Sequence, residues 1–297
     1  MTSNLTAVSY GVHLSPESLV GLRKALADAG VEVSSESQGG DQRFSVMTSG
    51  LAAGTESLAD LATVRRHVAA AASTGFDTAI VPEGLRQAPR KLLIMDVDST
   101  LIQQEVIELL AAHAGKREEV AAVTEAAMRG ELDFAQSLHA RVAVLAGLPV
   151  DVVESVRKEV RLSLGAAELV AAFKEAGHVV AVVSGGFNQI LRPIAMELGL
   201  DHWIANELEI VDGVLTGKVL GAVIDRAAKE KYLREWAAAE SISLEHTIAV
   251  GDGANDLDML SAAGIGIAFN AKPAVRAAAD AAINMPYLDA VRHIANV

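Results

Sequence analysis

Apolar residues fall along this chain in two kinds of run. Short, almost unbroken ones occupy residues 5–12, 78–81, 92–95, 179–183, 247–250, 265–269 and 281–284, and read as buried strands. Longer stretches repeat their apolar positions every three or four residues and read as helices. One runs to Gly30 through Leu19, Leu22 and Leu26, with Ser15 as N-cap and Pro16 in its first turn. A second, over residues 57–72, aligns Leu58, Leu61, Val64 and Val68. Residues 166–176, closed by Gly177, and residues 226–239 carry two more.

The order of these elements divides the chain. Residues 1–88 give strand, helix, two strands (31–35 and 43–48, joined at Gly39-Gly40-Asp41), helix and strand. Residues 82–90, with Pro82, Gly84 and Pro89, read as a linker. From residue 89 to 297 strands alternate with helices, the pattern of an α/β fold with a doubly wound parallel sheet. Asp212-Gly213 marks a hairpin within it. One stretch breaks the alternation. Residues 104–162 follow the strand at 92–95, hold no strand-like run and read as a helical insertion placed to act as a lid. In it, Phe134 and Arg141 stand two turns apart and share a helix face.

Composition narrows the function. With 297 residues, 51% of them hydrophobic, the chain can bury a large core. The 38 acidic and 25 basic residues leave a formal charge of -13, which argues against a nucleic-acid or membrane-surface binder. An anionic substrate would need local basic residues and a metal ion to offset that field. The absence of cysteine excludes disulfides and thiolate metal sites. The first residues lack a basic region followed by an apolar run, and no apolar segment is long enough to span a bilayer, so a cytoplasmic protein is expected.

The chemistry concentrates at the ends of three strands. Leu92–Met95 runs into Asp96, with Asp98 two residues on. Carboxylates following such a run are costly to bury without a partner. A close pair holds a hard cation such as Mg²⁺ or shares a proton. Ser99 and Thr100 add hydroxyls and open backbone N–H groups toward an anion. The strand at 179–183 ends in Ser184-Gly185-Gly186, and that at 247–250 in G-D-G-A-N-D, which includes Asp252, Asn255 and Asp256. In a parallel sheet these ends share one edge, where open α/β sheets bind ligands. Lys229 begins the helix between the second and third, with Lys231 as a rival.

This set, D-x-D-S-T, then Ser after a strand, then Lys, then G-D-G-x-N-D, resembles the haloacid-dehalogenase phosphohydrolase superfamily over about the last 200 residues. Within it the insertion resembles that of the phosphoserine phosphatase family, through Glu105 in D-V-D-S-T-L-I-Q-Q-E and through Phe134, Ser137, Leu138, Arg141 and Val142 in F-x-x-S-L-x-x-R-V. The resemblance implies Mg²⁺-dependent hydrolysis of O-phosphoserine, the last step of serine biosynthesis. Asp96 would be the nucleophile and Asp98 the acid and base. Asp96, Asp252 and the Asp98 backbone carbonyl would hold Mg²⁺. Ser184, the Gly185 amide, Lys229 and Asn255 would hold the phosphate, with Asp256 orienting Lys229 or a metal-bound water. Glu105 would take the substrate ammonium and Arg141 its carboxylate, between apolar walls of Phe134 and Met128. A phosphotransferase passing the group to another alcohol is the alternative reading. The strand order of residues 1–88 resembles an ACT-type module. That implies an amino-acid effector site or, without a ligand, a packing unit or a homodimer contact.

Overall fold

The computed structural model describes residues 5–14, 17–53, 60–70, 75–128 and 131–297. Ser15, Pro16 and Leu58 lie outside them. The first unit runs β1 (Leu5–Gly11), α1 (Ser18–Asp28), β2 (Val31–Gly40), β3 (Ser45–Ala53), α2 (Leu61–Ala70) and β4 (Phe76–Pro82). Its antiparallel sheet has the order β2-β3-β1-β4. This is the arrangement of a split βαβ unit. Alternation along β1 decides its two faces. Leu5 and Ala7 meet Leu19, Leu22 and Leu26 of α1 and Val64 and Val68 of α2. Val8 and Tyr10, with Val46, Ala79 and Val81, turn the other way and join the core of the second unit.

The second unit continues with α3 (Glu83–Arg86) and β5 (Leu92–Met95), then α4 (Val106–His113), α5 (Arg117–Met128), α6 (Phe134–Ala143) and α7 (Asp151–Glu159). It returns through α8 (Ala166–Glu175), β6 (Val179–Phe187), α9 (Asn188–Leu198), β7 (His202–Val211), β8 (Val214–Leu220) and α10 (Arg226–Ala239). It ends with β9 (Thr247–Gly251), α11 (Leu257–Ala262), β10 (Ile265–Phe269), α12 (Pro273–Ala278), β11 (Ala281–Ile283) and α13 (Ala290–Ala295). The sheet order is β11-β10-β9-β5-β6-β7-β8, parallel except for the β7–β8 hairpin. Strand β5 is central and covered on both faces, so all its residues are apolar. Leu93 and Met95 pack to one side, Leu92 and Ile94 to the other. Among the described residues no helix is long and apolar enough to cross a membrane.

Helices α4 to α7 form a cap beside the sheet's C-terminal edge. Its two connectors lie side by side. Ile102 bridges Leu162, and the Gln103 and Ser163 N–H groups donate to the Arg161 and Leu101 carbonyls, each at 2.9 Å. Helix α6 starts with a capping box in which Asp133 accepts from the Gln136 N–H at 2.8 Å. That start places Phe134 at the first turn, facing the sheet.

Residues 82–90 differ from the linker expected of their prolines and glycine. They contain α3, and Arg86 is buried, donating to the His293 and Ile294 carbonyls at 2.8 and 3.0 Å. Tyr10 donates to the Ala282 carbonyl at 2.7 Å, Asn284 donates twice to Asp77, and ion pairs join Arg43 to Asp289 and Arg65 to Asp280. The first sheet is thus fastened to the β11 side of the second, not tethered to it.

Candidate active site

Strand β5 runs into Asp96, whose N–H donates to the Val250 carbonyl of β9 at 2.9 Å. The chain then turns sharply. Leu101 and Ile102 donate back five residues, to the Asp96 and Val97 carbonyls, and Ser99 takes a left-handed φ of 58°. Asp96 and Asp98, two residues apart across the start of this turn, line the same cleft. The cleft, of about 550 Å³, is also lined by Glu105, Phe134, Arg141, Ser184, Gly185, Asp252 and Asn255. Of the residues singled out in the sequence, Lys229 and Asp256 sit just behind it, bonded to Asp96 or to each other. The Met128 side chain lies outside the described residues.

Lys229 is fully buried, its Nζ 2.7 Å from Asp96 Oδ2 and 2.7 Å from Asp256 Oδ1. Burial alone would lower its pKa, but the Asp96 and Asp256 charges outweigh burial and raise it, so it stays an ammonium. Lys231 is exposed and pairs with Glu235, which removes the rival. The other Asp256 oxygen accepts the Gly253 N–H at 2.9 Å, and Asp96 Oδ1 accepts the Val97 N–H at 2.6 Å.

Asp98 differs from its neighbour. Its Oδ1 is buried without a hydrogen-bond partner. Burial first, and the Glu105 charge second, push its carboxyl up to about 8. Asp252, held by the Thr100 hydroxyl at 3.1 Å, rises to about 6 for the same first cause, with Asp256 next. Asp96, Asp252 and Asp256 each offer an oxygen within 4.8 Å of the others. Three carboxylates against one ammonium leave surplus negative charge out of water, the setting in which oxygen ligands take up a divalent cation. Asp256, expected to orient Lys229, therefore also joins the acidic cluster.

On the β6 side, Ser184 Oγ accepts the Gly186 N–H at 2.8 Å, which leaves its hydroxyl proton for a ligand. A Cβ on Gly185 would stand 3.0 Å from Phe134 Cζ, and one on Gly186 would stand 3.0 Å from Asp98 Oδ2. Cap and rim therefore touch at Gly185, while Gly186 leaves room for Asp98. On the cap side, Ser99 Oγ donates to Glu105 at 2.6 Å. Arg141 makes one backbone bond, Nε to the Ser137 carbonyl at 3.3 Å, and its half-buried guanidinium feels Glu105, Asp98 and Glu108. Lys272 also lines the cleft without having been singled out in the sequence, and Thr100 and Gly186 were named there without their partners Asp252 and Ser184. Thr100 stood inside D-x-D-S-T, so its hydroxyl was visible there but its partner was not.

A model of the haloacid dehalogenase-like hydrolase family matches residues 93–261. The chain belongs to that family. Within it the chain falls with the phosphoserine phosphatases. It is 59% identical over 227 residues to a phosphoserine phosphatase of Streptomyces coelicolor, a match covering 76% of this chain and 55% of that protein. It thus spans about half the length of that curated relative. It is 52% identical over 197 residues to one of Streptococcus thermophilus, covering 66% of this chain and 92% of the relative. The crystal structure of a probable phosphoserine phosphatase from Vibrio cholerae, in unliganded form, superposes with a TM-score of 0.77 at 34% identity, over 98% of this chain and 86% of that one. This haloacid dehalogenase-like hydrolase carries its split βαβ unit within that superposed length.

Proposed function

We propose that this chain hydrolyses O-phosphoserine to serine and phosphate with Mg²⁺, through a phosphorylated Asp96. The observation that carries the reading is one shared cleft lined by Asp96, Asp98, Ser184 and Gly185 from the sheet rim and by Glu105 and Arg141 from the cap. A phosphate, an ammonium and a carboxylate on one small molecule match these three groups. The names of the relatives support the same substrate.

In the first step an Asp96 oxygen forms a bond to phosphorus as the bond to the serine oxygen breaks. Asp98, protonated because of its burial, gives its proton to that oxygen. In the second step Asp98 takes a proton from water, the water oxygen bonds to phosphorus, and Asp96 leaves as a carboxylate. The Ser184 hydroxyl, the Gly185 amide, Lys229 and Asn255 hold the phosphoryl oxygens. Asp256 keeps Lys229 in place. Glu105 binds the ammonium, Arg141 the carboxylate, and Phe134 shuts out water. Asp96, Asp252 and the Asp98 backbone carbonyl would hold Mg²⁺, which would supply charge stabilisation to the phosphoryl oxygens.

The test is phosphate release from O-phosphoserine, O-phosphothreonine, O-phosphoethanolamine and a phosphoglycerate, with Mg²⁺ and with a chelator. O-Phosphoserine is expected to lead in kcat/KM and the chelator to stop turnover. Preference for a monoester without the amino-acid end would refute the substrate. For residues 1–88, the βαββαβ order supports the ACT-like reading. Serine titrated into the full chain, with sedimentation to follow pairing, tests both the effector and the homodimer.

A further inference from the structure

The Ser184-Gly185-Gly186 turn poses a mechanical problem. Both glycines make room, because a Cβ at either would press on Phe134 or on Asp98 and Ser184. Two successive residues without side chains have little conformational preference of their own. Yet this turn must hold the Ser184 hydroxyl and the neighbouring amides still while a phosphoryl group changes shape. Something outside the turn has to fix it.

Asn206, on β7, is 2% exposed. Its Nδ2 donates to the Gly185 carbonyl at 2.8 Å, and its Oδ1 accepts the Ile224 N–H at 2.9 Å. The Gly185 carbonyl belongs to the peptide whose N–H, that of Gly186, donates to Ser184 Oγ. Bonds therefore run in series from Ile224 through the Asn206 amide and the Gly185–Gly186 peptide to the Ser184 hydroxyl. At the other end, Ile224 immediately precedes Asp225, the N-cap of α10, whose side chain accepts the Ala228 N–H at 2.9 Å. Helix α10 carries Lys229. One side chain thus ties the hydroxyl-bearing turn to the base of the lysine-bearing helix. Only a short side chain with donor and acceptor on one carbon serves both backbone partners. Aspartate has no donor for the carbonyl, and leucine has neither group.

We infer that Asn206 is a positioning residue for phosphoryl transfer: it locks the Gly185–Gly186 peptide so that the Ser184 hydroxyl proton and the adjacent amides face the phosphoryl oxygens. This rests on the reading that Ser184 and Gly185 hold that group. Its loss should weaken recognition of the phosphoryl end while leaving the amino-acid end, on the cap, untouched.

The experiment compares wild type with Asn206→Leu and Asn206→Asp, each confirmed folded by circular dichroism. Turnover is read with O-phosphoserine and with p-nitrophenyl phosphate. Inhibition is read with orthovanadate, which fills the phosphoryl site, and with serine, which lacks a phosphate. Both variants are expected to lose about 10- to 100-fold in kcat, the scale of a displaced reacting group. The orthovanadate inhibition constant should rise about tenfold, and that of serine should stay within about twofold. A loss of kcat with both inhibition constants unchanged would mean a merely structural role and overturns the inference, as would wild-type kinetics. Asn206→Asp, which keeps the shape and the acceptor, decides the matter where Asn206→Leu does not fold. If wild type hydrolyses p-nitrophenyl phosphate but not O-phosphoserine, the proposed substrate falls, while the orthovanadate comparison still judges Asn206.

Discussion

Replacing Lys229 by methionine isolates the electrostatics of the rim. The ammonium lies 2.7 Å from an oxygen of Asp96 and 2.7 Å from one of Asp256, with no exposed surface. Methionine keeps the length and apolar stem but leaves two carboxylates facing each other out of water. Each keeps one backbone donor, Val97 N–H or Gly253 N–H. Removing one partner of a buried ion pair costs about 3–5 kcal/mol, and that loss of unfolding free energy is expected at pH 8 without divalent ions. The sign with pH follows from linkage. Burial already holds the Asp96 carboxyl well above its ordinary value, and losing the lysine charge raises it further. The folded variant then holds its proton to higher pH than folded wild type does, so it loses more stability as pH rises. The gap from wild type should therefore widen as pH rises toward about 8. Urea unfolding followed by tryptophan fluorescence reads it, since Trp236 is on the same helix, α10, and Trp203 on β7. A gap below about 1 kcal/mol at pH 8, or one that does not change with pH, would refute the placement of Lys229 as a buried bridge.

Asp96→Asn should lower kcat by about 10³-fold or more while leaving the unfolding curve cooperative, and wild-type turnover would remove Asp96 as the nucleophile. Arg141→Ala should reduce kcat/KM for O-phosphoserine by about 10²-fold but that for O-phosphoethanolamine, which lacks the carboxylate, by less than about 10-fold; equal losses would dissociate Arg141 from the carboxylate. Gly185→Ala, whose new methyl stands 3.0 Å from Phe134 Cζ, should raise KM and expose the cleft to added quencher, with an unchanged KM as the contrary result. His178 and His293 are each held down to about 4, first by burial and then by Lys91 and Arg292 respectively. Folded, they bind fewer protons than unfolded, so their contribution to stability is complete above the ordinary 6.5 and is lost as pH falls toward 4. His178→Gln should flatten that loss in acid unfolding, and an unchanged slope would count against it.

The rim was readable because its chemistry interrupts a pattern. A run as apolar as Leu92–Met95 leaves Asp96 no disguise, and the parallel sheet brings the other strand ends alongside. Helix pattern alone did not separate the two lysines, and only the family resemblance favoured Lys229. Lys229 and Lys231 stand two residues apart on one helix, and only the packed structure shows one fully buried and the other with its side chain 64% exposed. The seven-residue spacing of Phe134 and Arg141 gave a shared face but not the glycine on which the ring rests. Asn206 was invisible for a similar reason. A single asparagine in a strand has no period, and its partners lie 21 residues before it and 18 after. Residues 82–90 misled in the opposite direction. Proline and glycine report local backbone freedom, and they say nothing about an arginine that docks 207 residues away.

On the proposed function, the division of cations across the cleft would couple selection to closure. On the rim, Lys229 already spends two contacts on Asp96 and Asp256, so part of its charge is answered before any phosphate arrives. The phosphoryl end must then be held largely by the Ser184 hydroxyl and backbone N–H groups. Among the described residues that line the cleft, Arg141 is the one arginine, and it belongs to the cap. A substrate carboxylate can therefore be forked by a guanidinium only with the cap in place over the rim. The cap is steadied on two sides, by its paired connectors at Ile102 and Leu162 and by the β7–β8 hairpin, where Gly147 donates to the Leu215 carbonyl at 2.9 Å and Leu215 donates back to Leu148 at 2.8 Å. A monoester without the amino-acid end can reach Asp96 but gives the cap nothing to close upon. On that reading discrimination would come from assembling the site around the right substrate, with water admitted or excluded by the same closure.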